Sequence, residues 1–118
     1  MAEALARHLG AGVIEPSSAG LYPALIIQPQ TIEVLAERGV RLDPRPPRSV
    51  FLADLTSTDL LVNMSGVDVK NLLGDFSGRV VEWQIPDPIG ESIEVYRSVR
   101  DEIERKVGEL IAEIRGAA

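Results

Sequence analysis

The chain has 118 residues, 45% of them apolar and 25% charged, the composition of one ordinary globular domain spanning residues 1–118. Eighteen acidic against 12 basic residues give a net charge of −6, which repels a phosphate backbone, so no nucleic-acid partner is expected. There is no cysteine and a single histidine, His8, which excludes disulfides, thiolate metal sites and any thiol nucleophile drawn from these residues, and argues against a histidine metal site or a Ser-His pair.

Residues 2–9 read as a helix, with Leu5 and Leu9 one turn apart and Gly10 and Gly12 as stop signals. No capping residue precedes it, so this helix is expected to be the remainder of a segment entered further upstream. Val13 to Ser17 is a strand candidate, closed by Ser18-Ala19-Gly20. Pro29 suits the first turn of a second helix that runs to about Arg38, with Ile32, Leu35 and Ala36 on its inner face and Gly39 at a left-handed cap. Arg41 to Ser49 holds three prolines and reads as a stiff extended loop, with a helical turn at Val50 to Leu55.

Asp59 to Met64 gives the clearest strand. Its continuous Leu60-Leu61-Val62 run predicts burial on both faces, as in a parallel sheet. A short helix is predicted over Val67–Leu73 and a third strand over Arg79–Ile85, followed by a Pro86-Asp87-Pro88-Ile89-Gly90 loop. Glu91 to Arg115 is a long helix whose Tyr96, Val99, Ile103, Val107, Leu110 and Ile114 share one face, with Asp101–Arg105 and Glu102–Lys106 at ion-pairing spacing. Alternating strands and helices predict an α/β domain with a mainly parallel, three-layer arrangement. No apolar run approaches the ~20 residues of a membrane span, and nothing at the start resembles a signal peptide, so a cytoplasmic protein with no membrane partner is expected.

Several segments carry a resemblance. Met1-Ala2-Glu3-Ala4-Leu5-Ala6-Arg7-His8-Leu9, Ser18-Ala19-Gly20, Val34-Leu35-Ala36-Glu37-Arg38-Gly39-Val40, Asp59-Leu60-Leu61-Val62-Asn63-Met64 and Trp83-Gln84-Ile85-Pro86-Asp87-Pro88 occur in an order and spacing similar to those of low-molecular-weight protein tyrosine phosphatases and the related arsenate reductases. The resemblance covers essentially the whole chain and begins just after the family's phosphate-binding C-x5-R-S loop. It implies a Rossmann-like sheet whose first, central strand is missing, in a truncated form of the domain.

In such a family a thiolate attacks phosphorus, an arginine grips the phosphoryl oxygens, and an aspartate followed by proline protonates the leaving group. The resemblance assigns that aspartate to Asp87. On chemistry alone, Pro86-Asp87-Pro88 reads first as a stiff turn in which Asp87 caps nearby backbone. The complete form is implied to hydrolyse phosphotyrosine-type phosphomonoesters; this chain, without nucleophile or loop arginine, is expected to be inactive. Two alternatives stand beside it. One is a non-catalytic dimeric binding or regulatory module, a pseudoenzyme. The other is an arsenate reductase relative, although Met64-Ser65 and Leu72-Leu73 occupy the regions where that branch carries its further cysteines. Ile89-Gly90 stand where phosphatases have pocket-flanking aromatics, which weakens a tyrosine-phosphate preference. No metal or organic cofactor is called for. The partners expected are a phosphorylated substrate or oxyanion for the complete form, and a second copy covering the open sheet edge.

Overall fold

The computed structural model describes residues 1–19, 27–42, 55, 58–68 and 76–117. Among these residues three helices, α1 (Ala2–Leu9), α2 (Pro29–Ala36) and α3 (Ile93–Ala117), accompany two strands, β1 (Leu60–Asn63) and β2 (Arg79–Glu82). The strands pair in parallel, with Leu60 opposite Arg79 and Asn63 opposite Glu82. Among the described residues no helix is long and apolar enough to cross a membrane.

The core lies between helices. Ala4 and Leu5 of α1, Leu35 of α2, Val40, and Val99, Ile103, Val107 and Ile111 of α3 form one buried cluster, with Trp83 and Ile85 leaning on it from beyond β2. The long helix is the spine, since α1 and α2 both pack on it. Its buried face is the one that the three-and-four spacing predicts, except that Ile111 is buried where Leu110 and Ile114 are only half-buried. Ser92 closes the entrance to α3, its carbonyl accepting the Val95 and Tyr96 N–H groups.

The second helix ends as its sequence predicts. Gly39 takes φ +69°, its N–H donates to the Ala36 carbonyl, and the Val40 N–H reaches back to the Leu35 carbonyl. Those two bonds close a Schellman motif, and the buried Leu35 and Val40 supply its apolar contact. The face it presents differs from expectation. Val34 and Leu35 are buried, whereas Ile32 and Ala36 point to solvent. The reason lies in α3, whose buried Arg100 donates to the Val34 carbonyl at 2.9 Å and to Glu37 at 2.6 Å and so sets the rotation of α2.

That arginine belongs to a wider ion cluster. Arg97 grips Glu37 through Nε and Nη2, and Asp101 accepts from both Arg100 and Arg38. The pairing expected between Asp101 and Arg105 does not form: Asp101 turns to the arginines, and Arg105 pairs with Glu109 instead. A long-range pair that also fixes two helices wins over a local one that contributes a few tenths of a kcal/mol.

Val13 to Ser17 is not a strand. The Val13 and Ile14 N–H groups bond to the Gly10 carbonyl in a turn, Pro16 has no N–H, and its carbonyl is taken by Arg7 at 3.0 Å. Two of its N–H groups and one carbonyl are thus committed to the end of α1 and to Arg7, and proline removes a further donor, which leaves too few groups for a regular ladder. The sheet therefore has two strands among the described residues rather than three. β2 is also shorter than predicted, because beyond Trp83 the backbone leaves the ladder. Leu60, Leu61 and Val62 are half-buried rather than enclosed on both faces, and the main cluster includes none of them. Gly78 lets β2 enter closely: a Cβ there would lie 2.7 Å from the Asp59 carbonyl oxygen, which accepts the Arg79 N–H. The helical turn at Val50–Leu55, most of the proline loop and most of the Val67–Leu73 helix lie outside the described residues.

Candidate functional site

In a parallel sheet the carboxyl ends of the strands are where loops present functional groups. Here that end is organised by Asn63, the last residue of β1 and 4% exposed. Its Nδ2 donates to the Val67 carbonyl at 2.7 Å and to Glu82 Oε2 at 2.8 Å. Its Oδ1 accepts the Ser65 N–H at 3.0 Å and the Ser65 hydroxyl at 2.6 Å. Both donors and the acceptor are thus used, as burial of an amide requires. The Asn63 carbonyl also accepts the Trp83 N–H at 2.9 Å. One side chain and one carbonyl tie the chain leaving β1 to the chain leaving β2.

From Trp83 the backbone runs without regular secondary structure to Pro86 and Asp87. The Asp87 Oδ1 accepts the Ile89 N–H at 3.1 Å, which makes an Asx turn of the Pro-Asp-Pro segment. The next turn closes through the Glu91 N–H and the Pro88 carbonyl, with Gly90 at φ +82°, and α3 follows. Asp87 is exposed, and its carboxyl is held at one oxygen by its own loop. This is the capping geometry that chemistry alone anticipates. It also leaves Oδ2 open to solvent among the described residues, so the carboxyl is oriented without being consumed.

The other sequence candidates are not gathered around it by any contact. Ser18 donates to Glu3 at 2.9 Å on the α1 side, and His8 is exposed on α1. Arg38, Arg97 and Arg100 are engaged with Glu37, Asp101 and Glu104 between α2 and α3, and offer no ready grip for an oxyanion. The Arg97 hydrogen bond, more than that of Arg100, holds the Glu37 carboxyl below its ordinary range against the opposing effect of burial. For Asp101 the Arg100 bond is the larger influence and Arg38 follows. Met64 and Ser65 stand exposed just beyond β1, while Leu72 and Leu73 lie outside the described residues. Sequence reading missed Asn63 and Arg100. A signal existed for the second: a cation at the position between Tyr96 and Ile103 interrupts an otherwise apolar stripe.

A family model described as low molecular weight phosphotyrosine protein phosphatase matches residues 1–117. The chain belongs to the low molecular weight phosphotyrosine protein phosphatase family. Among relatives of known name, it is 32% identical over 116 residues to the glutaredoxin arsenate reductase of Synechocystis sp., covering 97% of this chain and 87% of that protein. It is 33% identical over 100 residues to a putative arsenate reductase of Halobacterium salinarum, covering 85% and 69%. A solved arsenate reductase in its phosphate binding state superposes with a TM-score of 0.84 at 30% identity, covering 96% of this chain and 86% of that one. The Rossmann-like family fold is therefore present here as a small parallel sheet with helices. The resemblance read from the sequence is borne out, and the relatives carry the arsenate reductase name.

Proposed function

We propose that these 118 residues carry the scaffold and the general acid of a low-molecular-weight phosphatase-type domain, with Asp87 in the acid role, but not the parts that attack phosphorus. The observation that supports this is the placement of Asp87. It stands in a loop at the carboxyl end of a parallel strand, one oxygen fixed by the Ile89 N–H and the other open. Such a carboxyl can hand a proton to a leaving oxygen, an effect that contributes roughly 10²–10⁴-fold when the acid is well placed. The nucleophile is a different matter. Family chemistry needs a thiolate lowered in pKa by neighbouring positive charge, and the chain contains no cysteine. These residues are therefore catalytically silent by themselves.

The arsenate reductase reading has an observation of its own, the names of the relatives at 32% and 33% identity. It shares the scaffold and the oxyanion class of substrate. A thiol relay, however, needs cysteines, and Met64-Ser65 stand where that branch would place one. A regulatory role for the silent scaffold is the remaining reading. The test is to supply the chain with p-nitrophenyl phosphate, and separately with arsenate plus reduced glutathione and glutaredoxin. No turnover above the protein-free rate is expected in either. Phosphate release proportional to protein concentration would refute the silent scaffold, and arsenite formation would establish the reductase reading in its place.

A further inference from the structure

Asn63 makes more bonds than the end of a strand needs, and two of them meet the segment that carries Asp87. In the ladder Asn63 stands opposite Glu82, so the two side chains leave the same face of the sheet, and Nδ2 donates to Oε2 at 2.8 Å. One residue further on, the Asn63 carbonyl accepts the Trp83 N–H at 2.9 Å. A single residue, itself 4% exposed, thus holds the root of the segment through both its side chain and its backbone. Its amide is fixed in turn. The Ser65 N–H and hydroxyl both donate to Oδ1, and Nδ2 also donates to the Val67 carbonyl at 2.7 Å.

Between that root and Asp87 little can bend. Trp83 and Ile85 pack against the helical core, while Gln84 and Pro86 alternate outward. Pro86 and Pro88 each have φ fixed near about −65°. Each also restrains the residue before it, so Ile85 and Asp87 lose freedom as well. A shift at Glu82 or Trp83 is therefore carried to the Asp87 carboxyl rather than absorbed on the way. Reacting groups are sensitive to such shifts, since a misplacement of ~1 Å can lower a rate by about 10²-fold.

We propose that Asn63 and Glu82 act as a positioning pair for Asp87, fixing the strand end from which its open carboxyl oxygen is aimed. The purpose of that aim rests on the reading of Asp87 as the general acid; the geometry does not. Glu82 is exposed, so water competes for its carboxylate and the bond adds little to overall stability. Its effect is on where the chain leaving β2 is directed.

The test exchanges donor and acceptor. Asn63→Asp removes the donor and sets two carboxylates against each other. Adding Glu82→Gln supplies a donor from the other side and restores the bond in reverse. The readout is the Ile89 amide, whose N–H donates to Asp87 Oδ1 at 3.1 Å, followed by NMR on the 118-residue chain. In the parent its chemical shift moves on acidification as that carboxylate takes a proton, and Asp87→Asn abolishes the response. Asn63→Asp loses most of this response and exchanges the Ile89 amide about tenfold faster. The double variant recovers both. Leu35→Ala, which destabilises the chain from α2, leaves the Ile89 response at the parent level, so lost stability does not imitate lost position. An unchanged Ile89 amide in Asn63→Asp overturns the proposal. So does a double variant no closer to the parent than the single one, or a Leu35→Ala chain that shows the same loss. Should Asn63→Asp fail to fold, Glu82→Ala decides from an exposed position: it speeds Ile89 exchange if the pair positions the loop, and leaves it unchanged if the proposal is wrong. None of these readouts depends on turnover, so a failure of Asp87 as an acid, which shows only in catalysis, is distinguishable from a failure of its positioning.

Discussion

Arg100→Met tests how the structure is held together. The guanidinium is buried, 5% of the residue being exposed, and bridges α3 to the Val34 carbonyl, Glu37 and Asp101. Methionine keeps much of the stem's packing and removes every donor. The Val34 carbonyl loses this bond in a buried setting, at about 1–3 kcal/mol. The two carboxylates fare better, since Glu37 keeps Arg97 and Asp101 keeps Arg38, and both are partly solvated. The 3–5 kcal/mol of a fully buried broken pair therefore does not apply. A net loss of about 2–3 kcal/mol is expected, and at ~4 °C per kcal/mol for a chain of this size the melting point falls by about 8–12 °C.

Acid titration supplies a second readout for the same variant. Glu37 and Asp101 are both held below their ordinary range in the folded state. The stability they contribute is fully present above the unfolded carboxylate pKa, about 4, and is lost as pH falls through the folded values. Removing Arg100 takes away the chief partner of Asp101, so the variant loses less stability than the parent between about pH 5 and pH 2. Thermal unfolding followed by circular dichroism across that range measures both effects. A melting point within about 2 °C of the parent at neutral pH, with an unchanged acid dependence, would refute the assignment of Arg100 as the bridge between α2 and α3.

Two further substitutions probe separate layers. Leu35→Ala opens a cavity at a residue that is 0% exposed and at the base of the α2 cap, and costs about 2–5 kcal/mol in urea unfolding. Asn63→Ala removes an acceptor for the Ser65 N–H and the tie to Glu82, both partly reachable by water, and costs about 1–2 kcal/mol. Its signature is local: the Ser65 amide exchanges about tenfold faster or more while the Ile103 amide in α3 follows only the global change.

Much of this was legible in the sequence, for identifiable reasons. The three helices followed from apolar spacing and punctuation: Pro29 at one helix start and Gly39 at its left-handed end fell where backbone chemistry wants them. The β1 strand followed from an unbroken apolar run. What failed was what depends on distant partners. Val13 to Ser17 has strand-like residues, yet a strand exists only through its ladder, and Gly10 and Arg7 claimed the Val13 and Ile14 N–H groups and the Pro16 carbonyl. The inner face of α2 was misjudged at Ile32 because its rotation is set by Arg100, 66 residues from Val34 in sequence. The turn at Asp87 was legible, since Pro-Asp-Pro constrains the backbone there. Asn63 was not, because its value lies in four bonds that only the folded strand ends bring within reach.

The most direct test of the account joins an apolar strand and a C-x5-R-S loop in frame ahead of Met1 and measures how turnover depends on the leaving group. With Asp87 as general acid, Asp87→Asn in that fusion lowers kcat by about 10²–10⁴-fold for phenyl phosphate, a poor leaving group, and far less for p-nitrophenyl phosphate, which departs without help. Equal losses on both substrates, or none on either, would contradict the assignment of Asp87 and leave it as the cap of its own turn.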